Sequence, residues 1–172
     1  MVRIMTEVKT NDNCLVADIE GYGAVFHTPD LNGDIIVPGA FRHDGPVRML
    51  YQHAAETPIG RWTSLKEDGF GLFVRGQIIL SSPRAREVHA LLMGGALDGL
   101  SIGYQTIRAA KTKAGRRILS ASLWEISVVT FPMAPHARIT KVSPPRPERQ
   151  TLEPSPDQFA TALRQAASAL SV

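Results

Sequence analysis

Two β-like segments, residues 100–109 and 116–130, are separated only by the polar stretch Lys111-Thr-Lys-Ala-Gly115, and that spacing makes them an antiparallel pair. The other extended stretches are shorter. Residues 14–26 mix apolar positions with glycine and carry no helical stripe, which reads as a first strand region bent at Gly21 and Gly23. Residues 47–52 form a short apolar run. Residues 59–65 and 71–80 flank Glu67-Asp-Gly69, and Asp-Gly between two such runs is a hairpin signal. Between the first strand region and these lies a stretch that no long regular element can cross. It contains Pro29, Asn32-Gly33 and Pro38-Gly39 and runs into Gly45-Pro46, so it reads as loop folded over something.

One helix stands out. Ser82 is placed to cap it, Pro83 suits its first position, Val88, Leu91 and Leu92 form its apolar stripe, and Gly94-Gly95 ends it. After Val142 the composition changes. Ser143-Pro-Pro-Arg-Pro and Glu153-Pro-Ser-Pro exclude helix and interior strand, because proline lacks a backbone donor and restricts the residue before it. The reading is a folded domain over 1–142, an extended proline-rich linker over 143–156 and a tail over 157–172. In the tail, Phe159, Leu163, Ala166, Ala167 and Leu170 share one helical face. The fold class is mainly β with helices, an α+β chain.

Composition narrows the function. The single cysteine, Cys14, excludes an internal disulfide and suits a reducing compartment. No run of eighteen apolar residues marks a membrane span. The first ten residues lack the apolar stretch and small-residue cleavage site of an export signal, so a cytoplasmic setting is expected. Nineteen Lys and Arg against sixteen Asp and Glu leave a net charge of +3 without a dense basic block. With few aromatic residues besides, a nucleic-acid-binding barrel is disfavoured.

Chemistry is sought first among the five histidines. None is paired with another at the i, i+4 spacing of a helical metal site, and one cysteine cannot build a zinc finger, so neither metal nor cofactor is expected. His89 falls in the helix and reads as a surface or core-edge residue; His27, His43 and His136 fall in loops. His53 ends the segment Met49-Leu-Tyr-Gln-His53, where a strand would aim it at a strand-end pocket.

The serine in the most suggestive surroundings is Ser101, in Gly99-Leu-Ser-Ile-Gly103. The flanking glycines remove bulk and let a substrate carbonyl or another backbone approach the hydroxyl. In letters this is a nucleophile elbow. The elbow, however, requires a helix directly after the serine, and Tyr104-Gln-Thr-Ile-Arg continues as strand, so the α/β-hydrolase reading is rejected.

Glu125 interrupts an apolar strand and needs a partner there. A hairpin loop centred on Lys113 would set Ser101 opposite Glu125 on one face, Cβ atoms roughly 5 Å apart. A histidine from the separate segment ending at His53 could then bridge the two, as nucleophilic catalysis requires.

Taken in order, these segments resemble the prohead proteases of tailed bacteriophages. The resemblance runs from about residue 21 to residue 142: Gly-Ala-Val-Phe26, Asp30-Leu-Asn-Gly-Asp34, Pro38-Gly-Ala-Phe41, Leu50-Tyr-Gln-His53, Pro58-Ile-Gly60, Asp68-Gly-Phe-Gly-Leu72, Gly99-Leu-Ser-Ile-Gly-Tyr104 and Trp124-Glu-Ile-Ser-Val-Val-Thr-Phe-Pro132. It implies a β-barrel with peripheral helices like that of the herpesvirus capsid-maturation proteases. It also implies Ser101 as nucleophile, His53 as base and Glu125 as third member of a catalytic triad. The substrates implied are the major capsid protein and scaffolding sequences, cleaved inside the procapsid in the bacterial host, with self-cleavage among the family's habits; a homo-oligomer is compatible with the sequence, which does not give the oligomeric state. By analogy the loop after the third member, at Met133 or Ala134, would supply an oxyanion-hole amide; Pro135 has none to give. The competing expectation is a non-catalytic assembly or scaffolding protein on the same fold.

Overall fold

The computed structural model describes residues 14–113 and 115–148. These form ten strands and one helix in the order β1 (Leu15–Val25), β2 (Asp34–Ile36), β3 (Phe41–Arg42), β4 (Arg48–Tyr51), β5 (Ala54–Glu67), β6 (Gly71–Ile79), α1 (Pro83–Met93), β7 (Gly99–Lys111), β8 (Arg116–Val129), β9 (Ile139–Val142) and β10 (Arg146–Pro147). None of the described helices is long and apolar enough to cross a membrane.

The long pair expected from sequence, β7 and β8, is antiparallel. Along the other edge of β8 three short strands follow one another, all parallel to it: β2 beside Arg116 to Ile118, β3 beside Ala121 and Ser122, and β4 beside Glu125 to Val128. The breaker-rich stretch read as loop therefore contains two short strands, each too brief to show a period. From β4 the sheet continues antiparallel through β5 and β6 to β1, whose far edge takes β9 and β10. β1 is bent by a register shift between Tyr22 and Ala24.

The sheet is not closed into the expected barrel. Between its two ends lies a single bridge, Gly99 to Arg138, rather than a ladder. The segment that would have to pair with β7 contains Pro132 and Pro135, which offer no N–H. Beyond Ile102 and Tyr104 much of β7 is exposed. The expected helices reduce, among the described residues, to α1. Its buried Ala85, Val88, His89 and Leu92 cover the sheet. Ser82 precedes it in extended conformation without a side-chain cap bond, and Gly95 at φ 71 lies just past its end. His89 is more buried than its sequence context suggested, and its Nε2 donates to the Ser143 carbonyl at 2.9 Å.

Residues 143–148 run along β1. The Ser143 hydroxyl accepts from the Asp18 amide at 2.8 Å, and the Arg146 guanidinium grips both Asp18 oxygens at 2.6 and 2.8 Å, holding that carboxyl below its ordinary range. The tail expected over 157–172 lies outside the described residues.

The centre of the sheet is drawn tight at glycine. Met49, fully buried, lays its side chain over Gly60 and Gly76. A Cβ at Gly60 would fall 2.1 Å from the Gln77 carbonyl oxygen, which belongs to the neighbouring backbone and cannot turn aside. Gly60→Ala is accordingly expected to destabilise the protein by about 1–3 kcal/mol, read as a lowered urea midpoint.

Candidate active site

β4 and β5 are joined by a two-residue turn, Gln52-His53, between the paired residues Tyr51 and Ala54. Both turn residues have positive φ, 54 and 58, the pattern that tight hairpins normally give to Asn-Gly. Such a backbone in two bulky residues costs about 1–3 kcal/mol each and persists only where neighbours fix it. Here β8 does so. The Gln52 amide donates to the Val128 carbonyl at 3.0 Å, and the His53 amide to the Ser127 hydroxyl at 3.1 Å. The Gln52 side-chain amide donates to the Thr130 hydroxyl at 2.6 Å.

The turn carries the His53 ring to Glu125, with Nδ1 to Oε1 2.7 Å. The imidazole is 45% exposed and the carboxylate 12%. The other carboxylate oxygen, Oε2, accepts from the Ser127 hydroxyl at 2.5 Å. Proton positions follow from these partners. A backbone amide can only donate, so Ser127 Oγ accepts from His53 and its single proton goes to Glu125. With both carboxylate oxygens accepting, Nδ1 carries a proton, and the tautomer this selects for a neutral ring is the one with its lone pair on Nε2.

Ser101 stands opposite Ser127 across the β7–β8 ladder, and Gly103 stands opposite Glu125. Ser101 is thus displaced by two residues from the expected position and remains on the Glu125 face. It is buried, at 5% exposure, and lines with His53 a cavity of about 220 Å³. Among the described residues no hydrogen bond joins Ser101 to His53. Met133 and Ala134 line the same cavity. The carbonyl of Met133 accepts from the Leu31 amide and that of Ala134 from the Ala137 amide, which fixes the loop after β8.

Residues 5–149 match the family described as caudovirus prohead serine protease. The chain belongs to that family. It is 37% identical over 143 residues to the prohead protease of Enterobacteria phage HK97, covering 78% of this chain and 64% of that protein. It is 31% identical over 123 residues to the capsid polyprotein of Pseudomonas phage PAJU2, covering 67% of this chain and 18% of the polyprotein. The chain therefore spans a little under two thirds of the first relative's length and a small part of the second's. Among solved structures it is similar to the Kaposi's sarcoma herpesvirus protease in complex with a hexapeptide phosphonate inhibitor, with a TM-score of 0.46 and 14% identity over 90% of this chain and 77% of that one. It is also similar to the varicella-zoster virus protease, with a TM-score of 0.43 and 13% identity over 89% and 77% of the two chains.

The far wall of the cavity in this prohead-protease-family chain comes from residues 28–36. Asp30 Oδ1 accepts from the Asn32 and Asp34 amides, each at 2.9 Å, and so shapes the loop. Asp34, buried, is held by the Arg116 guanidinium through Nε at 2.9 Å and through Nη2. That pairing pulls the Asp34 carboxyl below its ordinary range against the opposing effect of burial. Tyr104, half-buried beside it, is pushed up to about 12, first by burial and then by the charges of Asp34 and Asp30. The phenol is a neutral wall at any working pH. No group of three or more His, Cys, Asp or Glu among the described residues could hold a metal ion.

Sequence reading overlooked Ser127, although it lies two residues after Glu125 on the same strand face. It read the two glycines around Ser101 as room for a substrate carbonyl or another backbone, and of these the fold fills the room with neighbouring chain. A Cβ at Gly99 would meet the Val129 carbonyl at 2.6 Å, and one at Gly103 would meet Glu125 Oε1 at 2.2 Å. Glu125 Cγ would be met as well, at 2.9 Å, so the side chain as a whole must shift, and Gly103→Ala is expected to displace the Glu125 carboxylate from His53. The measurement is the His53 Nδ1–H proton resonance, which should shift or broaden in Gly103→Ala relative to the unsubstituted protein.

Proposed function

We propose that this chain is a serine endopeptidase with Ser101 as nucleophile, His53 as general base and Glu125 as the acid that orients it, acting on capsid and scaffolding sequences during prohead maturation. The observation that carries the reading is the His53 Nδ1 to Glu125 Oε1 contact of 2.7 Å beside a cavity that His53 and Ser101 both line. With Nδ1 committed to the carboxylate, Nε2 is the nitrogen available to take a hydroxyl proton.

The reaction follows from that arrangement. Ser101 Oγ attacks the scissile carbonyl carbon as its proton passes to His53 Nε2, and Glu125 stabilises the resulting imidazolium. The tetrahedral oxyanion needs donors about 3 Å away, for which the amides of Met133 and Ala134 are the candidates at the cavity wall. Collapse expels the amine, which takes the proton from His53, and leaves an ester on Ser101. Water activated by the same imidazole then releases the acyl group.

Support for the substrate class comes from the relatives. One is named a prohead protease, and in the other the matched region is part of a chain named a capsid polyprotein. In this proposal cleavage takes place inside the procapsid in the bacterial host, on the major capsid protein and scaffold, with self-cleavage following the family pattern. Co-expression with the cognate major capsid protein tests it: Ser101→Ala should abolish the processed capsid band on a denaturing gel. Processing at the wild-type level would remove Ser101 from the mechanism.

A further inference from the structure

Ser127 is fully buried, lies directly across the ladder from Ser101, and uses its one hydroxyl twice. It donates to Glu125 Oε2 at 2.5 Å and accepts the His53 backbone N–H at 3.1 Å. We infer that Ser127 is a positioning residue of the site, a hydroxyl that fixes the Glu125 carboxylate and the His53 turn relative to each other. The inference rests on the triad reading and adds a fourth residue that touches neither substrate nor the reacting atoms.

Both bonds address a specific weakness of the site. Glu125 has two rotatable bonds beyond its Cβ, and its Oε1 reaches His53 in only some of the orientations these allow. A donor on Oε2 removes that freedom without competing for Oε1. The second weakness is the turn. His53 has φ 58, a backbone state unfavourable for a residue with a Cβ, and relaxation of that angle would swing the imidazole off Glu125. The bond from its amide to Ser127 opposes that relaxation. Alanine at 127 would keep the strand and lose both restraints. Because the hydroxyl lies on the Nδ1 side of the ring, bound to the carboxylate, it is not itself poised as a nucleophile.

The test uses the full chain and an alkyl fluorophosphonate as the probe. Three quantities are read: the rate of phosphonylation, the thermal midpoint, and the His53 Nδ1–H proton resonance in nitrogen-15-labelled protein. Loss of a hydrogen bond to a charged group is commonly felt as about a 10- to 100-fold effect. Ser127→Ala should therefore slow phosphonylation of Ser101 by that factor, shift or broaden the Nδ1–H resonance, and stay folded. Ser127→Thr, which keeps the hydroxyl, should restore both rate and resonance. A Ser127→Ala chain labelled at the wild-type rate with an unmoved resonance would overturn this inference alone. Labelling that persists at full rate in Ser101→Ala would overturn the nucleophile assignment, and this inference with it.

Discussion

The hydrogen bonds that tie the Gln52-His53 turn to β8 are the interaction on which the rest of the site depends. A parallel strand of four residues, β4, is enough to carry the turn to the level of Ser127 and Val128, because β8 supplies the partners. The backbone accepts two consecutive positive φ values there, and the strain is offset by bonds to Val128, Ser127 and Thr130. The result is a histidine placed by main chain rather than by side-chain packing. That matters for a ring that is 45% exposed and would otherwise sample several rotamers.

β8 is the organising element for the same reason. One edge carries β7 with Ser101, and the other carries β2, β3 and β4 in succession, the last of which leads to His53. The cavity wall opposite His53 and Ser101 is fastened to β8 as well, since Asp34 of β2 is paired with Arg116 at the strand's start. A single extended segment therefore fixes His53, Glu125, the register of Ser101 and the far wall. The sheet's failure to close leaves its curvature to these edges and to the bulges within them.

Much of this was legible in sequence, some of it for compensating reasons. The pairing of β7 with β8, the hairpin around Asp68 and the helix after Ser82 follow from local patterns that tertiary context did not override. The common face of Ser101 and Glu125 also followed, although the argument placed them directly opposite. Two displacements of one residue each separate that expectation from the fold. The ladder ends at Lys111 with Arg116, so the loop centre lies half a residue beyond Lys113. The bulges also leave β8 one residue longer than β7 between the loop and Ser101, with Ile107, Leu119 and Trp124 unpaired. Either displacement alone would have put Ser101 on the other face. Bulges have no reliable signature in a single strand, because they are settled by both partners together. Ser127 was overlooked because a small hydroxyl between Ile126 and Val128 looks like an ordinary strand residue until its partners are known. The short parallel strands β2 and β3 were hidden by the prolines and glycines that surround them.

The central claim is that His53, held by Glu125, serves Ser101. The most direct measurement is a crystal structure of the protein after reaction with a peptide phosphonate. The account predicts phosphorus bonded to Ser101 Oγ, His53 Nδ1 still on Glu125, and His53 Nε2 within hydrogen-bonding distance of the adduct. An adduct on any other residue, or an imidazole turned away from both Glu125 and the adduct, would contradict it.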